Sequence, residues 1–401
     1  MFSGKSILVG VCGGIAAYKS AMLVSALVKA GADVDVVMTP NATQFVAPLT
    51  FATLTGHKVP VDTFERVASY DVEHISLAQK ADLCVVAPAT ANVIAKMAHG
   101  IADDMLTTTL LAARCPKLVA PAMNTGMWDN PATQENIEKL RSWDVAFAEP
   151  GSGRLACGTL GKGRMAQPEE ILDAMEPLLT CQDMKGVDVL ITAGPTQESL
   201  DPVRYLTNHS TGKMGYELAR AARNRGAVVT LVSGPSNLIP PNGVELVQVQ
   251  SAAQMFEAVS SRAYEQDIII KAAAVADYTP VAASEEKIKK SGSALTLELS
   301  RTTDILAWLG DHKTPNQVLV GFAMETQNLL QNAKGKLERK HADMIVANSL
   351  RTQGAGFGGD TNVVTMLTQD GTEELPLMSK YDTACRVLDE ALKIRKKKQS
   401  L

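Results

Sequence analysis

The 401-residue sequence lacks several features that mark whole classes of protein. It has no uncharged apolar run near the roughly 20 residues that a membrane-spanning helix needs, and its start lacks the apolar segment of a secretion signal. The formal net charge is −4, so the chain has no overall basic field to hold nucleic acid or an anionic membrane. We therefore expect a cytoplasmic protein with neither nucleic acid nor a membrane as partner.

Cysteine is scattered and forms no motif. The chain has no Cys-x-x-Cys pair and no histidine-rich segment beside a cysteine, which argues against a disulfide scaffold and against a zinc site. The six cysteines are Cys12, Cys84, Cys115, Cys157, Cys181 and Cys385. The remaining composition, 46% hydrophobic and 20% charged, is that of an ordinary globular protein and excludes disorder as the main state.

Both halves of the chain alternate short apolar runs with helix-length amphipathic segments, a pattern that predicts parallel sheets covered by helices. The strands predicted for the first half are Ser6–Val11, Val34–Thr39, Leu83–Ala89, Lys117–Ala122 and Val145–Ala148. Those predicted for the second half are Val187–Thr192, Val228–Ser233, Leu246–Gln250, Asp267–Ala276, Leu295–Leu299, Gln317–Phe322 and Met344–Ala347. The pattern lapses between Glu176 and Lys185, so we predict two doubly wound, Rossmann-like α/β domains, residues 1–180 and 184–401.

The first strand runs into a turn with two adjacent glycines, Gly13 and Gly14, at the start of a helix. Backbone N–H groups at such a turn can hold an anion. The spacing differs from the Gly-x-Gly-x-x-Gly of dinucleotide-binding folds, and the second strand carries its acids, Asp33 and Asp35, at its beginning. The sequence therefore disfavours NAD, and a mononucleotide such as FMN fits better.

Polar residues follow the later strands of the first half. Thr90 and Asn92 come after the third predicted strand, and Asn124 comes after the fourth. Cys157 lies in a glycine-rich loop, where it is either an inert small residue or a reachable thiol, and nearby arginines favour the thiol. His74 opens a helix and, taken alone, fits a surface histidine.

The first half resembles the flavin-dependent cysteine decarboxylases over roughly residues 5 to 175. The motifs that carry the resemblance are Cys-Gly-Gly-Ile-Ala-Ala-Tyr-Lys, Glu-His-Ile-Ser-Leu, Ala-Pro-Ala-Thr-Ala-Asn, Pro-Ala-Met-Asn-Thr-Gly-Met-Trp and an Ala-Cys-Gly loop, in this order. The resemblance implies a loop around Cys157 that covers the substrate, and trimers with each flavin site at a subunit interface. It implies catalytic roles for His74, Asn124 and Cys157, and FMN held by Gly13, Gly14, Ile15, Thr39, Thr90, Asn92 and Ala122.

In the second half, a long polar loop follows the strand that begins at Val187. Its Gly212-Lys213 pair lacks the first glycine and the hydroxyl of a P-loop, so a Walker A site is excluded, and a phosphate-binding helix start remains. A run of alanines ends at Asp277, which would meet a ribose or a metal, although four alanines packing under a helix is an equal alternative. Lys336 and Lys340 share one helical face, as solvated lysines or as ligands of a polyanion.

The second half resembles the phosphopantothenate–cysteine ligase part of bacterial bifunctional coenzyme A biosynthesis proteins. The motifs are Gly-Pro-Thr-Gln-Glu, Asp-Pro-Val-Arg-Tyr, Thr-Asn-His-Ser-Thr-Gly-Lys-Met-Gly, Ala-Val-Ala-Asp-Tyr, Glu-Lys-Ile-Lys-Lys and Gly-Phe-Ala-Met-Glu-Thr. The resemblance implies that Asn208 lies at the acyl phosphate. It also implies that CTP, with Mg²⁺, contacts Asp277, Lys287, Phe322, Lys336 and Lys340. Where the family has Lys-x-Pro-Asp-Ile, this chain has Arg301-Thr302-Thr303-Asp304-Ile305, so the proline is missing.

Together the two resemblances imply a bifunctional enzyme of coenzyme A synthesis. Residues 184–401 would join 4′-phosphopantothenate to cysteine with CTP, and residues 1–180 would decarboxylate the product with FMN. They also imply a homo-oligomer, with trimeric decarboxylase units, dimeric ligase units and a dodecamer as one assembly that contains both. Two other interpretations remain open: a plain flavin or NAD(P) oxidoreductase, and a flavoprotein interaction module without chemistry. The sequence identifies no metal ligands, and CTP over ATP rests on the resemblance alone.

Overall fold

Buried runs of valine, isoleucine and leucine form the central strands of two separate sheets. The computed structural model describes residues 1–64, 72–154, 158, 160–289, 295–325, 329–349 and 358–400. The chain divides into two compact units, Met1–Thr180 and Cys181–Leu401, each with its own hydrophobic core. We call them the N-terminal unit and the C-terminal unit.

The N-terminal unit has a parallel sheet with the strand order β2-β1-β3-β4-β5, and next to it an antiparallel hairpin, β6-β7. The strands are β1 (Ser6–Val11), β2 (Asp33–Met38), β3 (Leu83–Ala89), β4 (Lys117–Pro121), β5 (Ala146–Phe147), β6 (Gly151–Arg154) and β7 (Leu160–Arg164). β3 is buried along its whole length, as a central parallel strand covered on both faces must be. The chain adds β2 on one side of β1 and β3 on the other, so the strand order changes direction between β1 and β3. Doubly wound sheets bind ligands at such a switch point.

Helices cover both faces of this sheet, and several begin at a side-chain cap that the sequence supplies. Thr90, Asp104, Asn124 and Asn130 each accept a hydrogen bond from a backbone N–H in the first turn of their helix. The helices are α1 (Ala17–Lys29), α2 (Pro48–Thr55), α3 (Glu73–Lys80), α4 (Ala91–His99), α5 (Met105–Ala112), α6 (Thr125–Trp128), α7 (Pro131–Arg141) and α8 (Pro168–Met175), with 3₁₀ turns at Pro40–Gln44 and Pro177–Leu179.

The C-terminal unit has a larger sheet with the order β12-β11-β8-β13-β16-β17-β19-β20, parallel as far as β17 and antiparallel beyond it. The strands are β8 (Asp188–Ala193), β9 (Gln197–Ser199), β10 (Tyr205–Thr207), β11 (Val228–Ser233), β12 (Glu245–Gln248), β13 (Ile268–Lys271), β14 (Tyr278–Pro280), β15 (Leu299–Arg301), β16 (Val318–Glu325), β17 (Met344–Ser349), β18 (Thr361–Asn362), β19 (Val364–Thr368), β20 (Thr372–Glu374) and β21 (Met378–Ser379). The pairs β9-β10, β14-β15 and β18-β21 lie outside it. Its switch point lies between β8 and β13.

Amphipathic helices complete the C-terminal unit. They are α9 (Lys213–Asn224), α10 (Ala252–Ser260), α11 (Ile305–His312), α12 (Leu329–Arg339) and α13 (Lys380–Gln399), with a 3₁₀ turn at Ala263–Glu265. α9 and α13 pack against each other on one face of the sheet, where Leu218, Ala222 and Leu388 are fully buried. α13 begins at Ser379, which accepts a hydrogen bond from the N–H of Asp382.

The α/β class with doubly wound parallel sheets is confirmed, and the differences lie at the margins. The predicted strand Leu295–Leu299 is wrong: the chain pairs only at Leu299–Arg301, in the short ribbon with β14. The predicted strand Asp267–Ala276 ends at Lys271, because the alanines after it form an irregular segment at the sheet edge. In the described part of the chain, no helix is both long and apolar enough to cross a bilayer.

One close contact between helix and strand leads to a stability prediction. A Cβ added at Gly215 of α9 would lie 2.5 Å from the Cβ of Ala193 at the end of β8, closer than packed atoms approach. We expect Gly215→Ala to lower the free energy of unfolding of the C-terminal unit by about 1–3 kcal/mol. Scanning calorimetry of the full chain would measure it.

The matched control is Gly335→Ala in α12, where the nearest atom to the added Cβ is the tip of Arg339 at 3.8 Å. Alanine is the better helix former by about 1 kcal/mol, so this variant should be unchanged or more stable. Equal effects of the two substitutions would contradict the packing argument.

Candidate functional site: two cavities at sheet edges

The N-terminal unit has a cavity of about 560 Å³ at the carboxyl ends of β1, β3 and β4. Six residues that the sequence singles out line it: Gly13, Gly14, Ile15, Thr90, Ala122 and Asn124. They come from three loops that are distant in the sequence and meet because parallel strands end at one edge. The volume lies within the range of small-molecule sites.

Local structure fixes these loops. A Cβ on Gly13 would lie 2.5 Å from the Cβ of Asn41, so this close approach requires glycine. Asn124 has extended backbone angles, and its Oδ1 accepts a hydrogen bond from the N–H of Gly126 at 2.8 Å. The N–H of Ala122 donates to the carbonyl oxygen of Ala89 at 2.9 Å, which joins the loops after β3 and β4.

Three predicted site residues do not line this cavity. Thr39 is buried after β2, where its Oγ1 accepts a hydrogen bond from the N–H of Ala42 at 3.3 Å. Asn92 is exposed on the first turn of α4. His74 is half-buried in the first turn of α3. Cys157 lies outside the described residues.

Sequence reasoning missed Lys19, which lines the cavity although its side chain is only 4% exposed. Its Nζ donates to the carbonyl oxygen of Met165 at 2.8 Å. Burial lowers the pKa of this ammonium, and the nearby charge of Arg164 lowers it further. Its position beside Ser20 on the buried side of α1 was the available signal, because a lysine is almost never fully buried unless it has a partner.

The hairpin β6-β7 is fastened to the cavity wall. Gly163 has a φ of +134°, and its carbonyl oxygen accepts a hydrogen bond from the N–H of Met123 at 3.0 Å. The hairpin brings two further cations, Arg154 and Arg164, to the cavity. A site with this composition suits a flat, partly anionic ligand.

The positions of the two acids of β2 argue against a dinucleotide cofactor, as the sequence does. Asp35 accepts hydrogen bonds from Nζ of Lys80 at 2.7 Å and faces Nδ1 of His57 at 2.8 Å, and Asp33 lies 2.9 Å from the same Lys80. These carboxylates belong to a surface ion-pair cluster at the amino end of the strand. They therefore lie far along β2 from where a dinucleotide ribose would require an acid.

The C-terminal unit has a cavity of about 400 Å³ at the carboxyl ends of β13, β16 and β17. Three predicted residues line it, Asn208, Asp277 and Phe322. Asn208 is oriented by its Nδ2, which donates to the carbonyl oxygen of Ala274 at 3.0 Å. The alanines after β13 form one wall, so the small side chains lie at a cavity and not under a helix.

A buried cation adjoins this wall. Lys271, the last residue of β13, lines the cavity, and burial lowers the pKa of its ammonium. The charges of Asp304 and Asp277 oppose that shift, and the charge of Lys336 adds to it. Lys340 Nζ is 2.7 Å from Asp304 Oδ2. Lys336 and Lys340 therefore belong to a charged group beside the cavity, although neither lines it.

Lys287 is exposed and does not line the cavity, but its neighbour is anchored. The N–H of Ile288 donates to Oδ2 of Asp201 at 3.2 Å, and Nη2 of Arg204 donates to the carbonyl oxygen of Ile288 at 2.7 Å. The side chain of Asp201 is fully buried, and the guanidinium of Arg204 holds its pKa well below the usual range. The segment with Lys287 is thus tied to the loop after β9.

Thr302 occupies the segment where the family has its proline. Its N–H donates to the carbonyl oxygen of Asp277 at 3.0 Å, and its Oγ1 donates to that of Ala276 at 2.6 Å. Asp304 then caps α11 by accepting a hydrogen bond from the N–H of Ala307 at 2.9 Å. Hydrogen bonds supply the rigidity that a proline ring would give.

Sequence reasoning also missed two buried asparagines in this cavity, Asn348 and Asn362. They are 7% and 2% exposed, and the buried Oδ1 atom of each has no hydrogen-bond partner among the residues that the structure describes. An unpaired buried amide oxygen costs free energy, so it indicates a position for an absent donor. Asn348 directly follows the predicted strand Met344–Ala347, and polar residues after strand ends are candidate ligands, so it could have been found. Nothing in the sequence predicted the short strand that carries Asn362.

Two lysines complete the cavity, one at the first residue of each packed helix. Lys213 Nζ is 2.7 Å from Oδ1 of Asp360 and begins α9, and Lys380 Nζ donates to the carbonyl oxygen of Gly359 at 2.6 Å and begins α13. Cations at helix starts favour an anionic ligand. Among the described residues, no three His, Cys, Asp or Glu side chains are grouped to hold a metal ion.

Two family models match this chain, one for each of its two units. Residues 1–180 match the family model described as Flavoprotein. Residues 184–394 match the model described as DNA/pantothenate metabolism flavoprotein C-terminal domain.

Individual proteins match one half or the whole chain. The coenzyme A biosynthesis bifunctional protein CoaBC of Bacillus subtilis is 52% identical over 99% of this chain and 98% of its own length. A crystal structure of the C-terminal domain of a coenzyme A biosynthesis bifunctional protein CoaBC covers 53% of this chain and 98% of that chain, with 46% identity and a TM-score of 0.46. The FMN-dependent cysteine decarboxylase SpaF covers 43% of this chain and 99% of its own, with 34% identity and a TM-score of 0.38.

The unpaired amide oxygens lead to a prediction on stability. Asn348→Leu removes a buried oxygen that has no hydrogen-bond partner in the described part of the chain, so the ligand-free protein should gain about 1–3 kcal/mol in the free energy of unfolding. Urea unfolding of the C-terminal unit would measure it. The control is Asn237→Leu, an exposed position where the change should stay within about 0.5 kcal/mol. A less stable Asn348→Leu protein would mean that the apo structure uses this amide.

Proposed function

Because the chain belongs to the family of coenzyme A biosynthesis bifunctional proteins, we propose that it makes 4′-phosphopantetheine in two steps at its two cavities. The C-terminal unit joins 4′-phosphopantothenate to cysteine at the expense of CTP. The N-terminal unit then decarboxylates the product with FMN. The observation that carries the proposal is the pair of cavities at two separate switch points, each lined by residues that the respective family motif contains.

The first step must activate a carboxylate, which is a poor acyl donor because its leaving group would be oxide. Transfer of CMP from CTP gives an acyl cytidylate and pyrophosphate, and the amine of cysteine then displaces CMP. Positive charge beside the reacting phosphate stabilises the pyrophosphate that leaves in the first reaction and the CMP that leaves in the second. Lys271, Lys336 and Lys340 stand in the charged group at the cavity, and we assign Lys287, whose neighbour Ile288 is anchored by Asp201, to the same phosphates.

The remaining cavity residues bind and orient the substrates. Asn208, fixed by its bond to Ala274, contacts the acyl phosphate, and Phe322 and Asp277 contact the nucleotide. Mg²⁺ accompanies the triphosphate, with Asp277 as the nearest carboxylate for it. The lysines at the starts of α9 and α13 suit the phosphate of 4′-phosphopantothenate. The amide oxygens of Asn348 and Asn362 suit its neutral hydroxyl and amide donors. An ammonium group is a poorer partner for these oxygens, because the two lysines would repel it.

The second step removes CO₂ from an acylated cysteine, and the resulting carbanion has no internal electron sink. FMN held in the N-terminal cavity would supply that sink through its capacity to accept and return a hydride. Gly13, Gly14, Ile15, Thr90 and Ala122 would hold it, and Thr39 would support their loop. Asn124 grips the substrate carboxylate, His74 acts as base or orienting group, and Cys157 donates the proton to the enethiolate.

A homo-oligomer accounts for the position of His74. Tyr18, Met22, Phe45 and Leu49 are 50–74% exposed on or near the packed helices α1 and α2, and Ile15 of the cavity is exposed as well. Trimers formed through this apolar surface would place α3 of one subunit near the cavity of another. The dimeric contact of the ligase units and the dodecamer stay proposals, as does the cytoplasmic location.

The two-site proposal predicts that the activities separate by mutation. Asn208→Asp puts a negative charge where the acyl phosphate must bind, so amide synthesis should fall by at least about 100-fold while decarboxylation of supplied phosphopantothenoylcysteine persists. Cys157→Ser should do the reverse and leave an oxidised, decarboxylated intermediate. Pyrophosphate and CO₂ would be followed separately with 4′-phosphopantothenate, cysteine and either CTP or ATP.

The same assay distinguishes the alternatives. A plain oxidoreductase would consume an external reductant, and an interaction module would release neither pyrophosphate nor CO₂; the family membership favours neither of them. Equal loss of both activities in Asn208→Asp, with unchanged folding by circular dichroism, would refute the assignment of separate sites.

The oligomer proposal predicts a linked loss of assembly and cofactor. Met22→Glu places a charge in the apolar surface on α1, so the full chain should elute as a smaller species and retain less FMN, measured by absorbance near 450 nm. Leu111→Glu, at a site of similar exposure on α5, is the control and should change neither quantity. Unchanged assembly of the Met22→Glu protein would move the subunit contact elsewhere.

A further inference from the structure

Two cysteines face each other at the edge of the N-terminal sheet opposite the cavity. Cys84 is the second residue of β3 and is fully buried, and Cys115 is half-buried just before β4. Their Sγ atoms are 3.5 Å apart. The N–H of Cys84 donates to the carbonyl oxygen of Pro116 at 3.0 Å, so the pairing of β3 with β4 fixes the two sulfurs relative to each other.

The two thiols have unequal surroundings. Lys117 lies two residues after Cys115, and its Nζ donates to the carbonyl oxygen of Ala113 at 2.7 Å. The hydrogen bond from Cys84 and the charge of Lys117 lower the pKa of Cys115 to about 7, against the opposing effect of burial. The same hydrogen bond and burial raise the pKa of Cys84. Cys115 is therefore the nucleophile of the pair, and Cys84 keeps its proton.

The pair is not part of the cavity chemistry. The cavity is built from loops at the carboxyl ends of the strands, whereas Cys84 and Cys115 lie at the amino ends of β3 and β4. Cys12, near the cavity, is buried, and burial raises the pKa of its thiol to about 12. Among the described residues, Cys84 and Cys115 form the one sulfur pair within hydrogen-bonding distance.

We propose that Cys84 and Cys115 form a peroxide-reactive dithiol site, which hydrogen peroxide converts to a disulfide within the N-terminal unit. The placement of a half-exposed sulfur against a buried one at 3.5 Å supports this assignment, since the resolving thiol needs no large movement to reach its partner.

The reaction balances without a further reactant. The sulfur of Cys115 attacks one oxygen of hydrogen peroxide, the O–O bond breaks, and the departing hydroxide takes a proton to leave as water. This gives a sulfenic acid on Cys115. The sulfur of Cys84 then attacks that sulfur, the S–O bond breaks, and the thiol proton leaves with the hydroxyl group as a second water. Two thiols are oxidised by two electrons, and one peroxide is reduced.

The experiment is peroxide treatment of the purified full-length protein with its cofactor bound. Free thiols would then be alkylated and the digest analysed by mass spectrometry. We expect a peptide pair joined through Cys84 and Cys115, lighter by two hydrogens than the sum of its parts and released by dithiothreitol. The exposed Cys181 serves as internal comparison, since it lacks a neighbouring sulfur among the described residues and should not enter the joined pair.

Two variants distinguish the roles. Cys84→Ala should accumulate sulfenic acid on Cys115, trapped by dimedone, and Cys115→Ala should leave Cys84 reduced. Cys181→Ala is the control and should give the joined pair in unchanged yield. The proposal is overturned if both thiols of the wild-type protein stay open to alkylation while Cys181 is oxidised, or if Cys115 passes to the sulfinic acid without any joined peptide.

Discussion

The parallel pairing of β1 with β3, and of β8 with β13, is the constraint on which both cavities depend. Each pairing is in register over its length and is buried on both faces. Because paired parallel strands end at the same edge of the sheet, they bring together loops that are far apart in sequence. The chemistry of each half is then set by side chains on these loops. This arrangement explains how one architecture, used twice in a chain, can hold a flavin in one copy and an activated carboxylate in the other.

Several of the buried polar side chains lie at the two cavities. Lys19 and Lys271 have ammonium groups whose pKa is lowered by burial, and Asn348 and Asn362 have amide oxygens for which the described residues supply no hydrogen-bond partner. Each arrangement costs stability in the empty protein, and a bound anion or donor group would offset that cost. Hydrophobic packing of β3 and β13 supplies the stability that makes such groups tolerable. At both cavities, the preference of these polar groups for water or a partner therefore opposes the burial that the fold imposes on them.

The sequence predicted the fold class, the central strands and six of the residues around the N-terminal cavity, because buried strands and glycine turns leave strong local patterns. It predicted less of the C-terminal cavity. Lys336, on α12, and Lys340, just after it, belong to the charged group beside the cavity and do not line it. The two-residue strand β18 has no pattern that separates it from a loop, so Asn362 could not be placed. Lys19 needed a helical-face argument, because its ammonium is held by the carbonyl oxygen of Met165, far along the chain.

The bond network around Asp201 has a consequence for nucleotide recognition. Its carboxylate and the guanidinium of Arg204 hold the main chain at Ile288 from both its N–H and its carbonyl oxygen. The main chain next to Lys287 is therefore already fixed. Binding of the Lys287 side chain to a triphosphate would immobilise that one side chain, at a cost of roughly 2 kcal/mol of rotamer freedom. It would not require the ordering of a whole loop, which costs more. If the proposed ligase step takes place here, only this side chain would have to be ordered on the triphosphate and released again with pyrophosphate.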